Sequence, residues 1–192
     1  MDPPDIRIVE ATADDIDVMA SVLAPAFRRY VDVLVGDVDR AMRVIPGIIR
    51  AMDGMGHIAY AGARPVGAIL VTYDEPRFLL QNALTILRVL GPRRAVRAAL
   101  IARDYLRTAP RRPPDEGWVE AVGVDEGFRR RGIGSLLIGE AVADLQARGR
   151  TSMGLAVVRG SPAVMFYERL GFEHVTSFSN RLGDWHYMRL RL

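Results

Sequence analysis

Val124–Leu137 reads VDEGFRRRGIGSLL, and the order of charge, glycine and apolar residues in it decides how the chain is understood. Ile133, Leu137, Ala141 and Leu145 recur every four residues, which predicts a helix over 132–148 with one face packed on a sheet. Upstream, WVEAVGV at 118–124 reads as a largely buried strand. The first turn of the helix therefore falls on Gly132-Ile133-Gly134, directly behind three arginines. A helix start offers unpaired N–H groups and partial positive charge, which suit an anion. Glycine lets that anion approach the backbone closely. Arg129, Arg130 and Arg131 add guanidinium groups for charge-assisted bonds to phosphate oxygens. This strand-to-helix turn is built for a multiply charged phosphate ligand.

Working outward, IRIVE at 6–10 followed by TADDIDVMASVLAPAF predicts a strand and then a helix, with Thr12 placed to cap it three residues before Asp15. A second helix is predicted over 39–52. HIAYAGARPVGAILVTY at 57–73 gives two β-rich runs around Gly62-Ala63-Arg64-Pro65, a hairpin signal. Residues 77–109 carry a helical pattern broken at Gly91-Pro92, which predicts two extra helices ending in a Pro-rich loop. After the strand at 118–124 and the helix come SMGLAVV, a short helix over SPAVMFYERL, and two more strands around Gly183-Asp184. The order β α α β β, helical insert, β α β α β β predicts an α/β fold with a mixed sheet. A single domain over 1–192 is expected, with the insert at 77–117 between strands 3 and 4.

Composition narrows the function. The 192 residues contain no cysteine, which excludes disulfides, thiol nucleophiles and zinc-thiolate sites. His57, His174 and His186 lack metal-site spacing, so no metal is expected. All 26 basic residues are arginine and the net charge is +3, a mild basic bias compatible with an anionic ligand. No stretch approaches the roughly 20 apolar residues of a membrane span. The N-terminus lacks a secretory pattern, so no membrane association and a cytoplasmic location are expected.

Two familiar phosphate loops fit poorly. A Walker loop requires lysine, and the chain has none. The dinucleotide fingerprint requires Gly or Ala where Leu137 stands, with an acidic residue after the next strand, which is also missing. The segment Arg129-Arg130-Arg131-Gly132-Ile133-Gly134 instead resembles the acyl-CoA signature of the GNAT superfamily of N-acetyltransferases, Arg/Gln-x-x-Gly-x-Gly/Ala. The family places that signature after a strand ending Val-x-Val, and Val122-Gly123-Val124 precedes it here. SPAVMFYERLGF similarly resembles the family's second block, with Ala163, Phe166, Tyr167, Gly171 and Phe172 in place. The order of elements agrees with the family fold, a mixed, mostly antiparallel sheet flanked by helices. The helical insert is the main departure.

What the resemblance implies is an enzyme, an acetyl-CoA-dependent N-acetyltransferase. Its central strand would splay from its neighbour so that the pantetheine arm enters as a pseudo-strand, with Gly123 suited to the bulge that opens the gap. Backbone groups of Val122 and Val124 would hold the arm and the acetyl carbonyl. Amides from Arg130 to Ser135, through Gly132, Ile133 and Gly134, would take the pyrophosphate. Tyr167 would protonate the CoA thiolate, since a phenol stays protonated at neutral pH. Glu120, an isolated carboxylate on an otherwise apolar strand, is the candidate base acting through water. Binding of the substrate ammonium and a satisfied structural ion pair are the alternatives for it. A CoA-contacting asparagine often precedes the tyrosine block in this family, and Gly160 or Ser161 stands there instead.

For the acceptor the resemblance points to a small-molecule amine bound among the first two helices, the insert and the last hairpin. A protein or peptide N-terminus is the alternative, and a non-catalytic acyl-CoA-binding module a further one. Phe27, Tyr30, Tyr73, Trp118 and Trp185 are the candidate lining residues. The insert carries Arg88, Arg93, Arg94, Arg97, Arg103, Arg107, Arg111 and Arg112, read as a solvated face. Interleaved aromatics are nearly absent there, which argues against nucleic acid. The apolar face of 78–90 is expected to cover the acceptor site or to form a homodimer contact.

Overall fold

The computed structural model describes residues 5–52, 54–73 and 82–192. Among these, seven strands form one sheet in the order β1-β2-β3-β4-β5-β7-β6. The strands are β1 (Ile6–Glu10), β2 (Gly54–Ala61), β3 (Arg64–Thr72), β4 (Glu116–Val124), β5 (Ser152–Val158), β6 (Glu173–Asn180) and β7 (Gly183–Arg191). Neighbours are antiparallel except β4 and β5, which run parallel. A parallel pair needs a crossover, and helix α5 (Ile133–Ala147) supplies it. The mixed, mostly antiparallel sheet expected from the sequence is what forms.

Before the first hairpin the chain makes α1 (Ile16–Ala26), α2 (Arg28–Leu34) and α3 (Val38–Arg50), one helix more than the periodicity predicts. The extra one arises because α1 stops at Phe27, whose φ of −105° and ψ of 23° redirect the chain. Thr12 and Asp15 meet as expected at the helix entrance, Thr12 as the N-cap and Asp15 three residues on, in a capping box. The Asp15 carboxylate accepts both the amide and the hydroxyl of Thr12, at 2.9 and 2.7 Å. The insert is α4 (Ala83–Thr108), broken at Gly91, where φ is 72° and ψ 165°. The expected pair of helices about Gly91-Pro92 is therefore present as two arms. Residues 78–81 of the expected apolar face lie outside the described residues, and the last helix is α6 (Pro162–Arg169).

Alternation along β3 divides the core. Ile69 and Val71 pack with Ile133, Leu137, Ala141 and Leu145 of α5 on one face. Ala68 and Leu70 pack with Ile16, Met19, Ala20 and Leu23 of α1, and with Ile49 of α3, on the other. Each fully buried Leu or Ile in these layers contributes roughly 1.5–3 kcal/mol.

β4 departs from regular alternation at one residue, and this corrects the expectation for Gly123. Leu70 pairs with Ala121 and Val71 with Val119, so Glu120 is the extra, bulged residue. Gly123 pairs in register with Ala68 and is small for another reason. A Cβ there would lie 2.6 Å from the Cβ of Ala26, so the glycine lets α1 rest on the strand. Gly123→Ala is accordingly expected to lose about 1–3 kcal/mol through overpacking, read as a lower urea midpoint with an unchanged slope.

Candidate active site

β4 and β5 pair only from Glu116↔Ser152 to Val119↔Leu155. Beyond that point both strands continue, but with other partners. β4 stays on β3 as far as Gly67↔Val124, and β5 stays on β7 as far as Val158↔Trp185. The result is a wedge bordered by 120–124 on one side and 156–158 on the other. The bulge at Glu120 sits at its apex. Val122 and Val124 follow along the wedge, each with its side chain packed against the α5 core. The backbone of this stretch has no strand partner on the β5 side.

At the far end of β4 the chain turns through Glu126–Phe128 into α5. Asp125 holds this turn, accepting from the Gly127 amide at 2.9 Å and from Arg64 Nη2 at 2.7 Å. Arg129 Nε donates to the Val124 carbonyl at 3.1 Å. Arg130 then takes φ of 61°, the only described non-glycine residue in the left-handed region, and Gly132 takes φ of 81°. Alternating backbone of this kind curls successive amides toward a common concavity, a nest for an anion. The first bond of α5 runs from the Leu136 amide to the Gly132 carbonyl, at 3.0 Å. The amides of Ile133, Gly134 and Ser135 are thus the unpaired donors of the helix start. Arg129, Arg130, Arg131 and Ser135 are exposed around it, and Ile133 anchors the turn in the core.

The second sequence block lies against this turn. A Cβ on Gly134 would stand 3.2 Å from Phe166 Cζ, so the missing side chain admits α6. Next to Phe166, Tyr167 is buried between Phe166 and Phe172, with ring centroids 5.1 and 5.5 Å away. Burial pushes its phenol up to about 12. The Ser161 hydroxyl caps α6, accepting from the Ala163 amide at 3.2 Å.

The wedge opens into a cavity of about 340 Å³ whose lining includes Val119 and Glu120 on β4 and Ala156 on β5. Of the five aromatic residues expected at an acceptor site, Phe27, Tyr30, Trp118 and Trp185 line it. Tyr73 does not, and lies instead beneath Arg148 and Arg150, 5.1 and 5.2 Å from its ring. Tyr30 stacks on Trp185 at 5.5 Å, and Tyr105 meets Trp185 edge-on at 5.9 Å. Glu120 is not isolated, as its strand context suggested. Its Oε1 accepts from Thr72 Oγ1 and from Arg112 Nη1, each at 2.8 Å. The Arg112 guanidinium also lies 4.2 Å over the Trp118 ring.

Arg112 corrects the reading of the insert: the other seven arginines are exposed there, whereas its side chain is only 15% accessible. Arg112, Thr72 and Tyr105 were missed because each reaches Glu120 or the cavity from another element. Among the described residues, no group of three or more His, Asp or Glu side chains could hold a metal ion. No described helix is long and apolar enough to cross a membrane.

Tyr105, Tyr167 and Tyr187 are each raised to about 12, with burial the first cause in every case. An unfolded tyrosine titrates near 10. The stability tied to these neutral phenols is therefore fully present below about pH 10 and lost as pH rises toward about 12. Ultraviolet titration is expected to show Tyr105, Tyr167 and Tyr187 ionising late and together with unfolding.

These features define a class: an α/β protein with a splayed parallel strand pair, an anion nest at one end of the wedge and an apolar cavity at the other. A model of the acetyltransferase (GNAT) family matches residues 37–172, and the chain belongs to that family. It is similar to an uncharacterized N-acetyltransferase of Methanocaldococcus jannaschii, with 45% identity over 56 residues, 29% of this chain and 25% of that one. It is also similar to the ribosomal protein bS18 alanine N-acetyltransferase of Salmonella typhimurium, with 35% identity over 63 residues, 32% of this chain and 43% of that one. The chain thus spans less than half the length of these curated relatives. In fold it is similar to the PaiA N-acetyltransferase of Thermoplasma acidophilum, solved with coenzyme A. The TM-score is 0.61 at 14% identity, over 98% of this chain and 99% of that one.

Proposed function

We propose that the chain is a cytoplasmic, acetyl-CoA-dependent N-acetyltransferase that acetylates a primary amine of a small molecule. The observation that carries this reading is the wedge, which joins an anion nest to an apolar cavity along one strand. Its donors suit the cosubstrate: backbone of Val122, Gly123 and Val124 for the arm, and amides of Arg130 to Ser135 with Arg129, Arg130 and Arg131 for the pyrophosphate. Acetyl-CoA, when bound, supplies an acyl group on a thiol leaving group.

The chain's own residues then handle two protons. Both bonds to Glu120 fall on Oε1, which leaves Oε2 to take the amine proton directly or through water. Tyr167 acts on the sulfur. With its pKa at about 12, the phenol is a weaker acid than a thiol, near 8.5. Its role is therefore hydrogen-bond donation to the departing sulfur, with the proton shared in the transition state.

The local likeness to the ribosomal-protein alanine acetyltransferase favours a second reading, acetylation of a protein N-terminus. Acetyl-CoA-dependent thiol release across small amines and short peptides separates the two. Release is expected with small amines. Release confined to peptides beginning with alanine would establish the second reading, and no release with any amine, at saturating acetyl-CoA, would remove both.

A further inference from the structure

The cavity is far larger than a primary amine needs. It runs from Glu120 at the wedge to Leu34 on α2, Val44 and Ile48 on α3, and Ile86 and Leu90 on the first arm of α4. Among the described lining residues only Arg112 and Glu120 carry charge, and they are bonded to each other. An ammonium placed deeper than Glu120 would find no counter-charge among the described lining residues and would lose its hydration against aliphatic side chains. A second ammonium beside Glu120 would meet the Arg112 guanidinium.

On the acetyltransferase reading, we infer that the acceptor is a monoamine on an apolar body, its amine at Glu120 and its body between α2, α3 and α4. Polycationic amines such as polyamines and aminoglycosides are excluded by the same lining. Tyr30, Tyr105 and Trp185 form the wall against which an apolar body packs, and neither phenol is held as an anion at neutral pH.

The protein carries its own reporter, since both of its tryptophans, Trp118 and Trp185, line this cavity. Tryptophan fluorescence of the full chain would be followed against ethylamine, hexylamine, octylamine, 2-phenylethylamine, spermidine, kanamycin and an alanine-initiated peptide. Thiol release would be measured in parallel. Saturable changes are expected with the apolar monoamines, tightening by roughly fourfold per added methylene until the cavity is filled. Spermidine and kanamycin are expected to give none. Ala102→Phe, which narrows the cavity from α4, is expected to move the best-bound chain to a shorter one.

Octylamine binding no tighter than ethylamine, or tighter binding of spermidine, kanamycin or the peptide, would overturn the inference. Fluorescence in the expected order without thiol release from any amine would support the ligand class and count against the acetyltransferase reading instead. Thiol release with spermidine or kanamycin alone would do the reverse.

Discussion

Tyr167→Phe is expected to slow acetyl transfer by roughly 10- to 10,000-fold, with acetyl-CoA affinity nearly unchanged. The substitution removes one oxygen and keeps the ring that packs between Phe166 and Phe172, so the fold and the adjoining helix start have no reason to move. What is lost is a hydroxyl that burial keeps protonated across the working pH range, its pKa standing at about 12. The effect should fall on kcat, because the donor matters only as negative charge develops on sulfur. It should also shrink for acyl donors whose leaving thiol is more acidic, since such a thiolate needs less help. Steady-state kinetics with two acyl thioesters of different thiol acidity would measure both. Equal kcat for the variant and the parent protein would take Tyr167 out of the chemistry.

Arg189→Met is expected to destabilise the fold by roughly 3–5 kcal/mol, the cost of leaving a buried charge without its partner. Glu116 is wholly inaccessible, and its carboxylate is satisfied by Arg189 Nε at 2.7 Å and by the Tyr187 hydroxyl at 2.7 and 2.8 Å. The arginine side chain is 30% accessible and can turn to water. The two partners are therefore unequal. Removing the arginine strands a carboxylate in the core, whereas Glu116→Gln keeps the shape and leaves the guanidinium an exit. The first variant should melt about 6–20 °C lower and the second should lose less than half as much. Equal losses, read from thermal and urea midpoints, would show that the cluster acts by packing alone. The cluster joins β4, β5 and β7 where β4 and β5 are still paired, so it closes the strands at one end while they part at the other.

Most of the fold, and the glycine-rich helix start proposed to take the pyrophosphate, could be read from the sequence because their signals are local. Periodicity from Ile133 to Leu145 sets one face of a helix, Gly132 and Gly134 fall in its first turn, and a strand of valines leads into it. Each of these is decided by neighbours within a few residues, so the nest, the crossover and the order of elements follow from the sequence. Even the break in α4 was signalled by Gly91-Pro92.

The cavity end of the wedge was decided by the tertiary structure. Glu120 reads as a lone carboxylate along the strand with an ion pair among its alternatives, but its partners Thr72 and Arg112 lie 48 and 8 residues away, on segments whose approach no local pattern encodes. Gly123 reads as a bulge because glycine tolerates one, but the extra residue is Glu120, and what Gly123 accommodates is Ala26 of a helix nearly a hundred residues earlier. Tyr73 and Trp185 are alike as aromatic residues at strand ends, Tyr73 just after β3 and Trp185 near the start of β7. Only the packing of α2 and α4 puts one in the cavity and leaves the other under Arg148 and Arg150, because side-chain surroundings depend on which elements meet.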